Sequence, residues 1–199
     1  RLHQSGNINK GYASESFKNM LKQHPDIQKL IEKSIAQAAE INPDRETNPV
    51  QSLDEMYGFL NYTVTCMPWI IMPEERYGYF ATKCDQSILY VYWLLDQPLQ
   101  ELENRELFYP SVEYLEPVYR WLTEYNNTWR DFLDSEESWK QEYLDMLLQD
   151  PSWNLDKGWY ESPENWHSFN EFFSRKLSGN AARPIASPQD DTVVVSPAD

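Results

Sequence analysis

The sequence predicts a mainly α-helical chain that leads, at its end, into the first strand of a β-rich domain outside these 199 residues. Three observations support this fold class. Glycine occurs only 6 times, which leaves few of the tight turns that sheets and barrels need. Apolar residues recur at helical spacing through most of the chain up to residue 177. The first clear β pattern is Thr192-Val193-Val194-Val195.

The first distinct helix pattern covers residues 27–41. Pro25 lies just before this pattern, and Asn42-Pro43 ends it. The polar residues that follow, up to Pro49, predict a loop. We assign residues 1–49 to an N-terminal helical arm.

A helical domain is predicted over residues 50–160. Ser52 and Glu55 have the S-x-x-E spacing of a capping box, so a helix is expected to begin there. Pro117 is tolerated in a helix only if it lies in the first turns. Further helices are predicted over residues 85–96, over residues 112–133 and from residue 134 onward.

The most apolar segment, residues 64–73, is broken by Pro68 and Pro73. It could form a mobile lid over an apolar substrate. Apolar runs broken by proline more often cover core surface, so we favour a buried connection between helices.

The chain carries 17 Lys and Arg against 32 Asp and Glu, a net charge of −15. This charge argues against nucleic acid as a partner and against a basic contact with an anionic membrane. Residues 1–50 hold seven basic and six acidic side chains, whereas residues 101–150 hold four and thirteen. The acidic block is either a docking surface for a cationic partner or the solvated face of amphipathic helices, and we favour the second interpretation.

Cys66 and Cys84 form no C-x-x-C motif, which fits a reducing compartment and indicates no zinc site. No run reaches the roughly 18 apolar residues of a membrane span. The polar N-terminus lacks the apolar core of a signal peptide. We therefore expect a soluble, cytoplasmic protein, and the sequence leaves its oligomeric state open.

Residues 168–177 predict a short helix with its own start and stop signals. Ser168 and Glu171 can cap each other's amides, and Gly179 follows as a stop. The predicted apolar stripe consists of Phe169, Phe172, Phe173 and Leu177, and the cations of the last turn are Arg175 and Lys176.

The predicted strand over residues 192–195 has no second strand before it in the chain. Its amides need partners, so a sheet must come from more of the same polypeptide or from a partner chain. A strand added to the edge of a homodimer is the less favoured alternative, because sequential strands normally pair within their own chain.

Three motifs follow one another over residues 168–199: S-x-N-E-F-F-x-R-x-L, A-R-P-I and V-x-S-P-A-D. In this order and spacing they resemble the start of the catalytic domain in the phosphatidylserine decarboxylase family. Upstream, Trp129-x-x-Phe132-Leu133-x-Ser135-x-x-Ser138 and the later Gly158-Trp159 resemble the helical N-terminal extension of a subgroup that includes a fungal tryptophan decarboxylase. On this resemblance, residues 161–199 are the truncated start of the catalytic domain.

The resemblance implies a proenzyme that cuts itself. In this family a serine becomes a pyruvoyl group at the N-terminus of the smaller chain, and this group accepts electrons as the substrate loses CO₂. Self-cleavage is attributed to an Asp-His-Ser set, and Asp199 matches its aspartate. The histidine and the serine are expected downstream, so the partner of this chain is the remainder of its own proenzyme or the small pyruvoyl-bearing chain. The fragment alone is expected to be inactive.

The other chemically active side chains have a structural interpretation. His3, His24 and His167 match no histidine motif of the family and are interpreted as structural. Arg175 and Arg183 could contact an anionic substrate, but arginines at such positions more often hold the backbone and local carboxylates. No metal site or further cofactor site is predicted.

The favoured function is therefore the N-terminal part of a pyruvoyl-dependent carboxy-lyase that acts on a free L-amino acid, aromatic ones included, or on phosphatidylserine. The acidic composition favours the soluble amino acid. The alternative is a non-catalytic helical interaction module that adds the strand of residues 193–195 to a partner sheet.

Overall fold

The computed structural model describes residues 11–66, 88–179, 182, 184 and 186–194. Within these ranges the chain is mainly helical, as predicted, and extended pairing is limited to an antiparallel bridge between Tyr160 and Leu177. The helices are α1 (Tyr12–Gln23), α2 (Pro25–Ile41), α3 (Leu53–Thr63), α4 (Ile88–Leu95), α5 (Glu116–Leu133), α6 (Gln141–Gln149) and α7 (Phe169–Phe173). Single turns of 3-10 helix lie at Gln100–Leu102, Val112–Tyr114, Glu136–Ser138, Pro151–Trp153, Leu155–Lys157 and Pro163–Asn165.

Helices α1 to α5 and the segment between α4 and α5 share one hydrophobic core, which we name the first core. In α2 the buried residues Ile27, Ile31, Ile35 and Ala38 follow helical spacing, so one face of the helix enters the core. Other fully buried side chains of the first core include Phe17, Leu21, Met56, Phe59, Leu60, Leu94, Leu95 and Leu102.

Pro25 and Asn42 set the two ends of α2, as the sequence predicts. Pro25 occupies the first turn, where its missing N–H removes no helical hydrogen bond. The Asn42 N–H donates to Ala38 O at 2.9 Å, after which the backbone becomes extended. The predicted helix over residues 27–41 is thus confirmed, with two more residues at its start.

Ser52 caps α3, as predicted. Its Oγ accepts the Glu55 N–H at 3.3 Å. The Glu55 carboxylate accepts the N–H of Gln51 at 2.8 Å rather than that of Ser52, so the reciprocal bond lies one residue earlier than in an ideal capping box. A second bond from the Ser52 hydroxyl to the same carboxylate completes the cap.

Helix α5 begins at Glu116 and not at residue 112 as predicted. Val112–Tyr114 instead forms a single 3-10 turn, and Leu115 is extended. The cause is Pro117, whose ring would clash with the carbonyl of Glu113 if the α-helix continued backwards. The proline therefore lies in the first turn.

A second core joins the end of α5 to α6 and α7. Trp129, Trp139, Trp153 and Tyr160 pack around it as partly buried side chains. The buried members of the second core are Phe132, Leu133, Tyr143, Leu147, Trp166, Phe169 and Phe172.

Helix α7 is shorter than predicted, because it ends at Phe173 rather than near Leu177. The following residues are extended and pair with residues 159–161. The Glu161 N–H donates to Lys176 O at 2.9 Å, and the Ser178 N–H donates to Trp159 O at 2.8 Å. Leu177 consequently leaves the predicted apolar stripe and is exposed.

Residues 192–194 do not form the predicted strand. Asp190 accepts hydrogen bonds from the Thr192 N–H and hydroxyl, which hold a turn, and the side chain of Val194 is 95% exposed. A strand needs a neighbour for its amides, and no described segment pairs with these residues.

Several sequence-based predictions concern residues outside the described ranges. Among the described residues, no helix combines the length and the apolar character needed to cross a bilayer. Residues that the sequence-based predictions name and that lie outside the described ranges include His3, Pro68, Pro73, Cys84, Asp85, Arg183, Val195 and Asp199.

Candidate functional site

The candidate site is the second core, because the described residues of the motifs at positions 129–138 and 168–177 meet there. Its centre is α7, which begins at a cap that the sequence predicts. Ser168 Oγ accepts the Glu171 N–H at 3.2 Å, and the Glu171 carboxylate accepts the His167 N–H at 2.7 Å. This cap fixes where the helix starts, although the helix is only five residues long.

Ser138 connects α7 to the end of α5. Its hydroxyl is within hydrogen-bond distance of Leu133 O (3.1 Å) and Ser135 O (2.7 Å), and it accepts the Phe169 N–H at 2.9 Å. The residue is completely buried. A single hydroxyl thus satisfies an amide at the start of α7 that lies 31 positions further along the chain.

A second polar contact reinforces this connection at the surface. Asn170 Nδ2 donates to the Asp134 carboxylate at 2.7 Å. Asn170 belongs to the motif over residues 168–177, and Asp134 lies within the motif over residues 129–138. The two motif segments are therefore in direct contact.

Aromatic rings fill the space between these segments. The ring of Phe172 stacks on Trp139 with centroids 5.2 Å apart. Trp166 and Trp153 each place their ring centroid 5.5 Å from that of Phe172. Such ring pairs stabilise a core beyond the apolar area that they bury.

Arg175 lies against three of these rings. Its guanidinium carbon is 4.4 Å from the centroid of Tyr160, 4.8 Å from that of Phe172 and 5.8 Å from that of Trp153. Nη1 donates to Phe172 O at 3.2 Å, which holds the last turn of α7. Backbone and rings hold Arg175, and none of the described carboxylates forms an ion pair with it.

Glu161 lies in the extended segment that pairs with the residues after α7. Its carboxylate accepts the Lys176 N–H at 3.0 Å, and this hydrogen bond is the main reason that the pKa of Glu161 lies below its usual value. Gly158 precedes this segment with φ of 66°, which a residue with a Cβ adopts rarely. Its carbonyl accepts the Ser178 hydroxyl at 2.7 Å, so the turn and the extended pair support each other.

The residues that the structure describes do not include a complete self-cleavage set. Asp199, which the resemblance assigns to that set, lies outside the described residues. His24 lies at the junction of α1 and α2, and His167 lies exposed before α7. In the described ranges neither imidazole is hydrogen-bonded to a serine or a carboxylate, and no group of three His, Cys, Asp or Glu side chains could hold a metal ion.

Two serines of the second core have structural roles. Ser138 bonds the backbone and Ser168 caps α7. This arrangement positions α7 and the segment that follows it.

No sequence pattern indicated the cage of aromatic rings around Arg175. Trp153, Tyr160 and Phe172 come from three segments without a common period, so no helix or strand pattern connects them. The aromatic richness of residues 139–173 was the available signal.

Comparison with known proteins adds no relative to this picture. No protein-family model matches the chain, and neither a curated protein nor a solved structure matches it.

Proposed function

We propose that this chain is the helical N-terminal part of a self-processing, pyruvoyl-dependent decarboxylase that resembles the phosphatidylserine decarboxylase family. Its substrate is a free L-amino acid, aromatic ones included, or phosphatidylserine. The proposal rests on the sequence motifs at residues 168–199 and on their upstream counterpart at residues 129–138.

One structural observation carries the proposal. The upstream and downstream motifs, which the sequence separates by about thirty residues, meet at Ser138 and at the Asn170–Asp134 pair. Two motifs that were attributed to the same family from sequence alone thus belong to one packed unit.

In this proposal the second core anchors the chain where it enters the catalytic domain. The cap at Ser168, the Ser138 hydroxyl and the Arg175 cage fix α7. The extended pair at residues 159–161 and 176–178 then sets the direction in which the chain leaves. When present, the pyruvoyl group supplies an electron-accepting carbonyl for decarboxylation. The described residues contribute position only.

Charge favours the amino acid over the phospholipid. An anionic bilayer attracts proteins through basic residues near its surface, whereas this chain has a net charge of −15. A free amino acid reaches a protein without membrane contact, so the acidic composition does not oppose it.

The second candidate is a non-catalytic module that adds a strand to a partner sheet. The observation in its favour is the exposure of Val193 and Val194, whose apolar side chains lack cover from the described residues. A β-branched segment of this kind can pair with the edge of another sheet.

Self-processing distinguishes the two candidates. The full-length polypeptide that contains these residues is expressed as wild type and as Asp199→Ala, with Asp191→Ala as a matched control in an exposed turn. We expect two fragments from the wild type and the control, the smaller with an N-terminus that resists Edman sequencing. Asp199→Ala should remain uncut, because the carboxylate is required to orient and charge the imidazole.

The first of two other outcomes contradicts the decarboxylase, and the second contradicts the role of Asp199. An intact single species in all three proteins favours the interaction module, and cleavage that persists in Asp199→Ala removes that residue from the self-cleavage set. Release of CO₂ from tryptophan, from other free amino acids and from phosphatidylserine vesicles then identifies the substrate. Activity on the lipid alone would reverse the preference for an amino acid.

A further inference from the structure

The segment between α4 and α5 presents an unusual surface that the proposed function does not use. We call it the acidic–aromatic surface, and its members are Asp96, Phe108, Tyr109, Glu113 and Tyr114. The segment is not loose. Its buried anchors in the first core are Leu99, Leu102, Val112 and Leu115, and the Leu99 N–H donates to Pro110 O at 2.8 Å.

Aromatic rings project from this anchored segment into solvent. Phe108 is 91% exposed, and Tyr109 and Tyr114 are exposed as well. The rings of Phe108 and Tyr114 lie with centroids 5.7 Å apart, so they form a pair. An exposed aromatic pair on an anchored segment is typical of an interaction site, because a partner that covers the rings removes apolar surface from water.

Acidic side chains outnumber basic ones in the segment that carries these rings. Residues 96–116 contain six acidic side chains and one basic side chain, a net charge of −5. Two of the six form ion pairs, Glu101 with Lys33 and Glu116 with Arg120. Within the described residues, Asp96 and Glu113 have no cationic partner.

The surroundings of Glu113 disfavour the negative charge of its carboxylate. It is half-buried beside the charge of Asp96, and both its burial and that charge raise its pKa. The hydroxyl of Tyr114 offers it a hydrogen bond, which offsets this only in part. A cation from another molecule that bound beside Asp96 and Glu113 would offset this repulsion.

Elsewhere the chain places cations over rings. Lys18 lies 4.4 Å from the centroid of Tyr57, and Arg175 lies equally close to Tyr160. No cation in the described part of the chain lies over Phe108 or Tyr114. The acidic–aromatic surface thus has the groups that bind an ammonium or guanidinium group, and none of the described Lys or Arg side chains supplies that cation.

We propose that the acidic–aromatic surface is the docking site for a basic segment of a partner protein, in which Lys or Arg alternates with apolar residues. The cations face Asp96 and Glu113, and the apolar residues cover Phe108 and Tyr109. Charge complementarity selects this partner over a second copy of the chain, because two copies would bring like charges together. The proposal is independent of any catalytic role.

Binding is measured with a fluorescein-labelled peptide of alternating Lys and Leu, added to the full 199-residue chain and followed by fluorescence anisotropy. We expect Phe108→Ala and Glu113→Gln each to weaken binding by about fivefold. Added salt should weaken binding of the wild type as well. Neither substitution endangers folding, since Phe108 lies in solvent and Gln removes a repelled charge.

The matched controls are Phe173→Ala and Glu137→Gln, which remove an exposed phenylalanine and an exposed carboxylate near the second core. Both should bind the peptide as the wild type does. Equal binding by all four variants, or equal binding of an oligolysine with the same charge, overturns the proposal, because the site would then be unspecific. A homodimer that Phe108→Ala dissociates in sedimentation velocity also overturns it in favour of a second copy.

Discussion

Ser138 is a single residue whose hydroxyl connects the start of α7 to the end of α5. Its hydroxyl is completely buried and is the only described acceptor for the Phe169 N–H, so it serves the backbone of two distant segments. Its removal leaves a buried amide without a partner, and such a group costs more than the hydrogen bond itself contributes.

We therefore expect Ser138→Ala to lower the free energy of unfolding by about 2 kcal/mol. Ser174→Ala is the control, because its hydroxyl also donates to a backbone carbonyl, Asn170 O, but is exposed to water. The control should change stability by less than about 0.5 kcal/mol. Urea unfolding followed by tryptophan fluorescence measures both, and equal losses would show that the Ser138 contact is not special.

Glu113 gives a prediction of the opposite sign. Burial first, and Asp96 second, raise its pKa in the folded chain, while Tyr114 partly offsets the rise. A raised carboxyl pKa favours folding at pH values below the unfolded pKa, and this advantage is lost as pH rises through the folded value. At pH values above the folded pKa the group is ionised in both states, and the folded state is penalised.

Glu113→Gln should consequently raise the free energy of unfolding at pH 7 by about 0.5 kcal/mol, and the gain should shrink as the pH falls toward 4. Urea unfolding at a series of pH values checks both parts. Glu137→Gln, at an exposed position, is the control and should show no such trend. A gain that is independent of pH would indicate that the substitution acts through packing and not through charge.

At the scale of elements, two helices begin with the same device. Ser52 and Ser168 each accept an amide three residues later, and Glu55 and Glu171 each accept the N–H that precedes the cap. The spacing S-x-x-E alone predicted both starts, because the interaction is local and needs no information about the rest of the fold.

Ser52→Ala should lower the free energy of unfolding by about 1 kcal/mol, since α3 then loses its side-chain cap. Ser52→Asp keeps an acceptor at the same place and should recover most of the loss. The measurement is chemical unfolding of the three proteins side by side. An alanine variant as stable as the wild type would mean that Glu55 caps the helix through Gln51 without help.

Elements were predicted less well where distant residues compete with local preference. The stripe of Phe169, Phe172, Phe173 and Leu177 suits a longer helix, yet Glu161 pairs with Lys176 and makes the chain extended there. The sequence could not show this competition, because Glu161 lies fifteen residues away from Lys176. The same limit applied to residues 192–194, which form no strand without a partner.

At the scale of the whole molecule, α5 connects the two cores. Val118, Trp121, Leu122 and Tyr125 pack in the first core, and the last residues of the same helix pack in the second. Because one helix belongs to both cores, a break in its middle should weaken both.

Asn127→Pro tests this connection. Proline in a helix interior costs about 3 kcal/mol, because it removes a hydrogen bond and clashes with the preceding turn. We expect hydrogen exchange to accelerate in α1 and α2 as well as in α6, although none of these helices contains the substitution. Asn127→Ala is the control and should leave exchange unchanged, since Asn127 is exposed. Acceleration in one core alone would show that the two cores unfold independently.

The candidate site was predictable only in part. The motif at residues 168–177 and its cap came from the sequence, whereas the cage around Arg175 and the role of Ser138 did not. Rings from three segments surround the arginine, and their approach depends on the path of the chain between them.

The sequence by itself determined the helical class, the helix ends at Pro25, Asn42 and Ser52, and the excess of negative charge. Each of these depends on covalent geometry, on hydrogen bonds between near neighbours or on simple counting. The short length of α7, its hydrogen bond to Ser138 and the exposure of Phe108 became apparent only in the folded chain. The physical reason is that burial and the pairing of distant amides are properties of the folded path, which local sequence does not encode.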